Sequence, residues 1–341
     1  MTQDPPRPAV WVLADPRAGT AAQALGIAER LGLPFRVIEL GWGPLARWPI
    51  PWPSLAGLTA AARRAVLGPA LGPALARVPP GARPRIVGDW PALTLSAGRR
   101  SAPVARWLRR HGARAVHCMR PGLGAAELDL LVIGAHDRPR PAPNLMEILG
   151  ACHRMSPARL AAAREEWAGL AALPSPRVAL LVGGPVRAEG MRPEVAAAIG
   201  RRVAAMAGSV LATTSRRTGS SATEALSAAL AERPHRLFRW GEGGANPYDG
   251  FLAWADAVVV TGDSVSMLSE ALATAAPVLV ADPGGLGPRH LRLRESLVAA
   301  GQARVLGEGL FSRRPLDESA RVAAAIRARG WGVTGQADGT K

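Results

Sequence analysis

Apolar runs of strand length alternate with Ala-, Leu- and Arg-rich segments of helical period along most of the chain. A strand that is apolar at nearly every position must be covered on both faces, which calls for a parallel sheet with crossover helices. In the first half the pattern predicts strands over Ala9–Ala14, Phe35–Leu40, Leu93–Ala97, Ala113–Cys118 and Leu128–Ile133, with helices such as Thr20–Leu31 and Ser101–His111. A helical stretch, Ser156–Leu173, runs into the proline-marked break "LPSPR", and a fresh strand begins at once over Arg177–Gly184. The second half repeats the theme with strands over Ser209–Thr214, Arg236–Trp240, Ala257–Thr261, Pro277–Ala281 and Ala303–Leu306. A length of 341 residues suits two domains of about 150 residues each. The division is expected near Leu173, giving residues 1–173 and 174–341, with the last helix free to pack back on the first domain. The expected fold class is α/β: two Rossmann-like domains whose parallel sheets face a central cleft, with ligands at the carboxyl ends of the strands.

Composition narrows the chemistry. The formal net charge is +16, and apart from Lys341 every one of the 42 Lys and Arg residues is arginine. Such a surface favours phosphates, nucleotides or acidic head groups. Aromatic content is only 4% and no nucleic-acid-binding signature is present, so no nucleic-acid partner is expected. Without an internal lysine there is no Walker A loop, and "ADPRAGTAAQALG" is not the G-x-G-x-x-G of a dinucleotide fold. No two aspartates stand two apart, the six histidines lack zinc spacing, and no G-x-S-x-G elbow occurs. Neither a metal nor another cofactor is expected. The two cysteines, Cys118 and Cys152, make no disulfide framework. No run reaches the ~18 apolar residues of a membrane span, and the N-terminus lacks a signal-peptide pattern, so a cytoplasmic location is expected.

One segment departs from the alternation. Gly41–Leu58, "GWGPLARWPIPWPSLAGL", carries three tryptophans and four prolines, which forbid a regular helix or a central strand. Trp42, Trp48 and Trp52 beside an arginine could anchor the protein at an anionic membrane surface, on the inner face of the cytoplasmic membrane, or fold back onto their own domain.

Polar clusters fall where the expected strands end. "LADPRAGTAAQ" places Asp15, Gly19 and Gln23 after the first strand, with Gly19 permitting close backbone approach to an anion at a helix start. "LSAGRRSAP" does the same with Gly98, Arg99, Arg100 and Ser101. "GAHDRP" sets His136 beside Asp137, a pair able to position a general base or simply to bond within a loop. In the second half Gly183 and Gly184 end a strand, and Ser215, Arg216, Arg217 and Thr218 end another. Arginine forks and helix N-termini suit a diphosphate. Asn246 and Tyr248 lie in a Gly-rich loop able to hold a base or sugar, and each of these clusters could equally be an ordinary turn or cap. "VVVTGDSVSMLSEALATAAPVLVADPGG" carries Thr261, Gly262, Asp263, Ser264, Ser266 and Glu270 across a strand–helix junction. Asp263 would repel a diphosphate, so it is assigned to helix capping or to a sugar hydroxyl.

That last stretch resembles the nucleotide-sugar-binding half of GT-B glycosyltransferases, on Thr261–Ser264, Ser269-Glu270, Pro277 and Val278–Ala281. The resemblance implies that Glu270 binds ribose hydroxyls and that the preceding turn faces diphosphate and sugar. Over nearly its whole length the chain also resembles the mitochondrial-fission ELM (elongated mitochondria) family. The matching motifs are "DPRAGTAAQALGIAERLG", "SAGRRSAPVARWLRR", "AHDRP", "TSRRTG" and "NPYDGFLAWADAVVVTGDSVSMLSEALAT". The third of these is followed here by a proline-rich "RPRPAPN".

Taken together, the resemblances imply a metal-independent glycosyltransferase of the hexosyltransferase type. It would use a nucleoside-diphosphate sugar, a UDP-sugar in the first instance, as donor and an envelope or lipid-linked acceptor. The donor would occupy the second domain, and Asp15 or His136 would act as the base toward an acceptor on the first. Two alternatives stand: a non-catalytic scaffold at a membrane that recruits a dynamin-type division partner, as the resemblance to the ELM family implies, and a UDP-sugar epimerase.

Overall fold

In a computed structural model the described residues are 9–75, 90–185 and 190–331; the extreme N-terminus of the signal-peptide reading lies outside them. The chain forms two compact units, one of residues 1–134, 138–154 and 318–341, the other of residues 135–137 and 155–317. The division expected at Leu173 therefore falls inside the second unit, because the helical stretch before it packs with that unit's helix over Tyr248–Trp254.

The first unit contains β1 (Val10–Ala14), α1 (Ala18–Leu31), β2 (Phe35–Glu39), α2 (Ala60–Leu75), β3 (Leu93–Ala97), α3 (Ala102–Arg110), β4 (Arg114–Cys118), β5 (Leu130–Gly134) and β6 (Leu145–Ile148). Its six-stranded sheet is ordered β2-β1-β3-β4-β5-β6 and every pairing is parallel. Alternation along β1 sorts side chains to two cores. Val10 and Val12 pack with α1, and Trp11 and Leu13 pack with α3 on the other face.

The second unit contains α4 (Pro157–Glu166), β7 (Arg177–Val182), α5 (Pro193–Met206), β8 (Ser209–Thr214), α6 (Ser220–Leu230), β9 (His235–Phe238), α7 (Tyr248–Trp254), β10 (Ala257–Thr261), α8 (Val265–Ala271), β11 (Val278–Ala281), α9 (Pro288–Ala299) and β12 (Arg304–Val305). Its sheet runs β12-β11-β10-β7-β8-β9, again all parallel. The last helix, α10 (Glu318–Arg327), belongs to the first unit. There Val322, Ala323 and Ile326 enter the α1 core, and the Ser319 hydroxyl both accepts from the His153 N–H and donates to the His153 carbonyl, each at 2.8 Å.

Two details differ from the pattern-based expectation. The Ser156–Leu173 helix breaks at Trp167 into α4 and a short 3₁₀ turn, Ala168–Ala172. β6 was not foreseen, being four residues long with an exposed glutamate. Gly41–Leu58 has no regular helix or central strand, in line with its prolines, and holds a single 3₁₀ turn, Pro44–Arg47.

Candidate functional site

In the second sheet the chain builds β7, β8 and β9 outward to one side, then returns to build β10, β11 and β12 on the other. The reversal lies between β7 and β10, and open α/β sheets bind ligands at the carboxyl ends beside such a switch point. The residues delivered there are Gly183 and Gly184 after β7 and Thr261, Gly262 and Asp263 at the end of β10. They are joined directly: the Gly183 N–H donates to Thr261 Oγ1 and the Gly184 N–H to Asp263 Oδ2, both at 2.8 Å. A Cβ on Gly183 would run into the Asp263 carboxylate, and one on Gly184 into the Arg217 carbonyl. Only glycine lets the two strand ends approach this closely, and Gly184 also has φ of +151°.

The end of β8 closes onto the same turn. Thr218 is fully buried, and its hydroxyl, which lies 3.1 Å from the Val182 carbonyl and 2.6 Å from that of Gly183, accepts from the Ser215 N–H. The Arg217 guanidinium donates to the Gly184 carbonyl at 2.7 Å and pairs with Asp263 Oδ2 at 3.0 Å. Arg217 is thus neutralised in place, whereas Arg216 beside it is exposed and has no ion-pair partner among the described residues. The helix that follows, α6, starts at Gly219 (φ +81°) with no side chain capping it. An exposed arginine next to an uncapped helix start is an anion-binding arrangement.

Asp263 does not cap a helix. The cap of α8 is Ser264, whose hydroxyl accepts from the Met267 N–H at 3.4 Å. Asp263 instead ties β10 to β7 and to the Arg217 loop. Its Oδ1 is buried without a hydrogen-bond partner, an acceptor left over at the switch point. Of the other hydroxyls on this stretch, Ser269 donates to the Val265 carbonyl within α8, and Ser266 is partly exposed.

A second group gathers around Glu270. The Tyr248 hydroxyl donates to Glu270 Oε2 at 2.6 Å, and Asn246 Oδ1 accepts from the Tyr248 N–H at 3.1 Å. Burial raises Glu270 to about 7, with Asp249 adding to the rise and the Tyr248 hydrogen bond and Arg159 opposing it. Burial, then the neighbouring Glu270, pushes the Tyr248 phenol well above its ordinary value. Asp249 is itself engaged by Arg159 at 2.6 Å.

The residues expected to act as bases are already engaged. Arg289 of α9 forms a fork on Asp137, at 2.6 and 3.0 Å, and donates to His136 Nε2 at 2.9 Å. Its proton leaves the imidazole to carry its own on Nδ1, which is buried without a partner. Burial, followed by the Arg289 charge, lowers His136 to about 4. With its free lone pair given to a guanidinium, His136 is not poised to take a proton in this state. Asp15, at the end of β1, accepts from the Arg17 N–H and from Trp42 Nε1, both at 2.9 Å.

The other first-unit candidates gather at the ends of β1 and β3, the switch point of that sheet. Gly19 and Arg99 are exposed, Arg100 partly so, and Gln23 is buried on α1. Gly98 has φ of +83°. The Ser101 hydroxyl lies 2.7 Å from the Ala97 carbonyl and 3.0 Å from that of Gly98, so it closes the turn instead of facing a ligand.

Sequence reasoning missed Arg289, Arg292, which donates to the His136 carbonyl at 2.9 Å, and His290, which burial and then Arg289 lower from its ordinary value. All three stand in the first turns of α9 in "GPRHLRLR", where arginine is too common in this chain to be a signal. It also missed Arg106, buried on α3 and donating to the Pro51 and Leu123 carbonyls and to Glu127.

Comparisons with known proteins agree with this architecture. Residues 18–330 match the family described as Mitochondrial fission ELM1. The Arabidopsis thaliana mitochondrial fission protein ELM1 is 28% identical over 284 residues, which cover 72% of this chain and 66% of the plant protein. An uncharacterised Rickettsia prowazekii protein is 34% identical over 88 residues, covering 24% of this chain and 25% of its own length. Among solved structures, Os79 from O. sativa in complex with UDP superposes with a TM-score of 0.52 at 12% identity, covering 95% of this chain and 91% of that one. A Listeria monocytogenes protein assigned as a UDP-N-acetylglucosamine 2-epimerase gives 0.50 at 15% identity, covering 94% and 87%. The fold is the GT-B class, shared by glycosyltransferases and epimerases.

Proposed function

The chain belongs to the mitochondrial fission ELM1 family, and within that family we propose that it is a metal-independent glycosyltransferase binding a nucleoside-diphosphate sugar, a UDP-sugar in the first instance, on its second unit. The observation that carries the reading is the β7–β10 switch point. Two glycines there admit no Cβ, and an exposed Arg216 stands beside an uncapped α6. In this reading the diphosphate lies on Arg216 and the first amides of α6, where developing negative charge on the leaving group is stabilised. The unpartnered Asp263 Oδ1 takes a sugar hydroxyl, and Glu270, kept in place by Tyr248, takes the ribose hydroxyls. The complex of Os79 with UDP, on the same fold, supports the choice of nucleotide.

Calorimetry with UDP and uridine tests the donor site. UDP is expected to bind, Arg216→Ala to remove most of its advantage over uridine, and Glu270→Ala to weaken both at least tenfold. If neither UDP nor any UDP-sugar produces saturable heat, the reading fails.

A second reading has its own support. Asp15 has both carboxylate oxygens hydrogen-bonded, and His136 is held by Arg289, so neither expected base is free. That favours a nucleotide-binding scaffold that recruits a division partner, as the name of the Arabidopsis relative suggests. UDP binding without sugar transfer to any acceptor or water would select it.

The acceptor in the first reading is lipid-linked or part of the envelope, reached from the cytoplasmic face of the membrane. Leu45, Trp48 and Trp52 are 56%, 73% and 61% exposed, side chains that suit a membrane interface. Trp42 does not join them, because its indole N–H is spent on Asp15. Flotation with phosphatidylglycerol vesicles is expected to carry the protein upward, and Trp48→Ala with Trp52→Ala to abolish it; unchanged flotation of the double variant would remove the membrane contact.

A further inference from the structure

A cavity of about 470 Å³ in the second unit borders the edge strand β9, and none of the residues assigned to the nucleotide lines it. Its volume is that of a small-molecule site. Trp167, Leu170, Phe238 and Phe251 make an apolar wall, so two of the chain's four phenylalanines meet here. Trp167 and Phe238 are only partly buried, which leaves aromatic surface for an apolar body to cover. Three charged side chains complete the lining: Glu166, Glu242 and Arg236. Alternation along β9 puts Arg236 on the same face as Phe238. Glu242 gives Oε2 to the Arg239 N–H at 2.9 Å, and none of the three has an ion-pair partner among the described residues. Opposite charges that line one cavity without meeting suit a ligand that carries both on its own frame.

The walls are fixed before any ligand arrives. Arg159 of α4 pairs with Asp249 of α7 at 2.6 Å, Arg164 donates to the Ala253 carbonyl at 2.7 Å, and Trp254 Nε1 donates to the Arg164 carbonyl at 3.1 Å. A Cβ on Gly250 would strike the Trp167 ring, so glycine there lets α7 close against it. Two other glycines at the cavity have the opposite property. A Cβ on Gly169 or Gly243 would meet nothing within 4 Å, and neither residue has a positive φ. Neither packing nor backbone conformation asks for glycine at these two positions, and the missing side chains keep the cavity open. A preformed cavity loses little entropy when a ligand binds.

We propose that this cavity binds a free α-amino acid with a large apolar side chain, its ammonium group on Glu166 and Glu242, its carboxylate on Arg236 and its side chain against Trp167, Phe238 and Phe251. Charge-assisted hydrogen bonds at both ends fix the ligand's direction, and a guanidinium fork matches a carboxylate. The apolar wall favours phenylalanine over alanine. The site uses neither Arg216 nor Glu270, so it stands or falls apart from the nucleotide reading.

The test is calorimetry on the full chain with L-phenylalanine, phenethylamine and phenylpropanoate, which share a phenyl body and differ in the charges they carry. L-Phenylalanine is expected to bind saturably and about tenfold more tightly than either analogue, each of which forgoes one charge-assisted contact. Arg236→Gln should weaken L-phenylalanine without weakening phenethylamine. Glu166→Gln with Glu242→Gln should weaken L-phenylalanine without weakening phenylpropanoate. Gly169→Leu, whose Cβ meets nothing in the fold, should keep the parent's melting temperature and remove binding of all three compounds. Absence of saturable L-phenylalanine binding, an analogue bound as tightly as L-phenylalanine, or undiminished binding in Gly169→Leu would overturn the proposal. Equal losses of L-phenylalanine and phenethylamine in Arg236→Gln would overturn it as well.

Discussion

Glu270→Gln is expected to stabilise the free protein by about 3 kcal/mol above pH 8 while weakening UDP binding at least tenfold. Burial raises the Glu270 carboxyl from 4.5 to about 7. Between those values the folded protein holds a proton that the unfolded chain has released, so stability falls as pH rises through this window and levels off above it. Glutamine is a neutral match in shape, and its carbonyl can still accept from the Tyr248 hydroxyl that lies 2.6 Å from Glu270 Oε2. Urea denaturation of the two proteins at pH 5 and pH 8 checks this. Stabilities should be similar at the lower pH and part at the higher. Curves that stay parallel across the range would mean that the carboxylate is solvated and carries no strain. A residue that lowers the stability of its own fold and is required for a ligand is a binding residue; a residue that only packs would lower both when removed.

The larger titration is in the first unit. His117 on β4 is wholly buried, and burial lowers it to about 3. Its Nδ1 is 2.8 Å from Ser96 Oγ, which in turn lies 3.3 Å from the Val116 carbonyl, while Nε2 has no partner. If Ser96 gives its proton to Val116, Nδ1 carries the imidazole proton and Nε2 keeps a bare lone pair, the less costly orphan. Protonation would put an unpartnered cation in the core. The unfolded chain binds a proton below pH 6.5 and the folded one only near pH 3, so stability is full above 6.5 and is lost as pH falls, by up to about 5 kcal/mol. His136, lowered to about 4, acts with the same sign. Acid unfolding followed by circular dichroism should therefore begin below about pH 6. In His117→Leu its midpoint should move down by about one pH unit or more, since Ser96 retains the Val116 carbonyl. A midpoint that does not move would assign the acid sensitivity to other groups.

The sheets were legible in the sequence because a strand buried on both faces leaves a near-continuous apolar run, as in Val178–Val182 of β7 and Ala257–Val260 of β10. β6 was not, since a short edge strand with an exposed glutamate has no such signature. The glycines after β7 and the acid after β10 could be found from their position at strand ends. Their direct bonding to one another could not, because sequence does not show that β7 and β10 are neighbours. Asp263 illustrates the gap: position alone suggested a helix cap or a contact to a sugar hydroxyl, and only the sheet order reveals a carboxylate joining two strands to Arg217. Arg289 was invisible for another reason. In a chain whose cations are almost all arginine, the one that grips His136 and Asp137 looks like the rest until its partners are known.

Because α10 completes the first unit while residues 155–317 make up nearly all of the second, the second unit is in effect an insertion within the first. On a ribosome, which delivers the chain from its N-terminus, the six strands of the first sheet emerge early yet wait for α10 before Ile27 and Val322 can share a core. The unit that begins first is completed last. During that interval the α1 face is an open apolar surface on a nascent chain, and that is the stage at which a chaperone would find this protein.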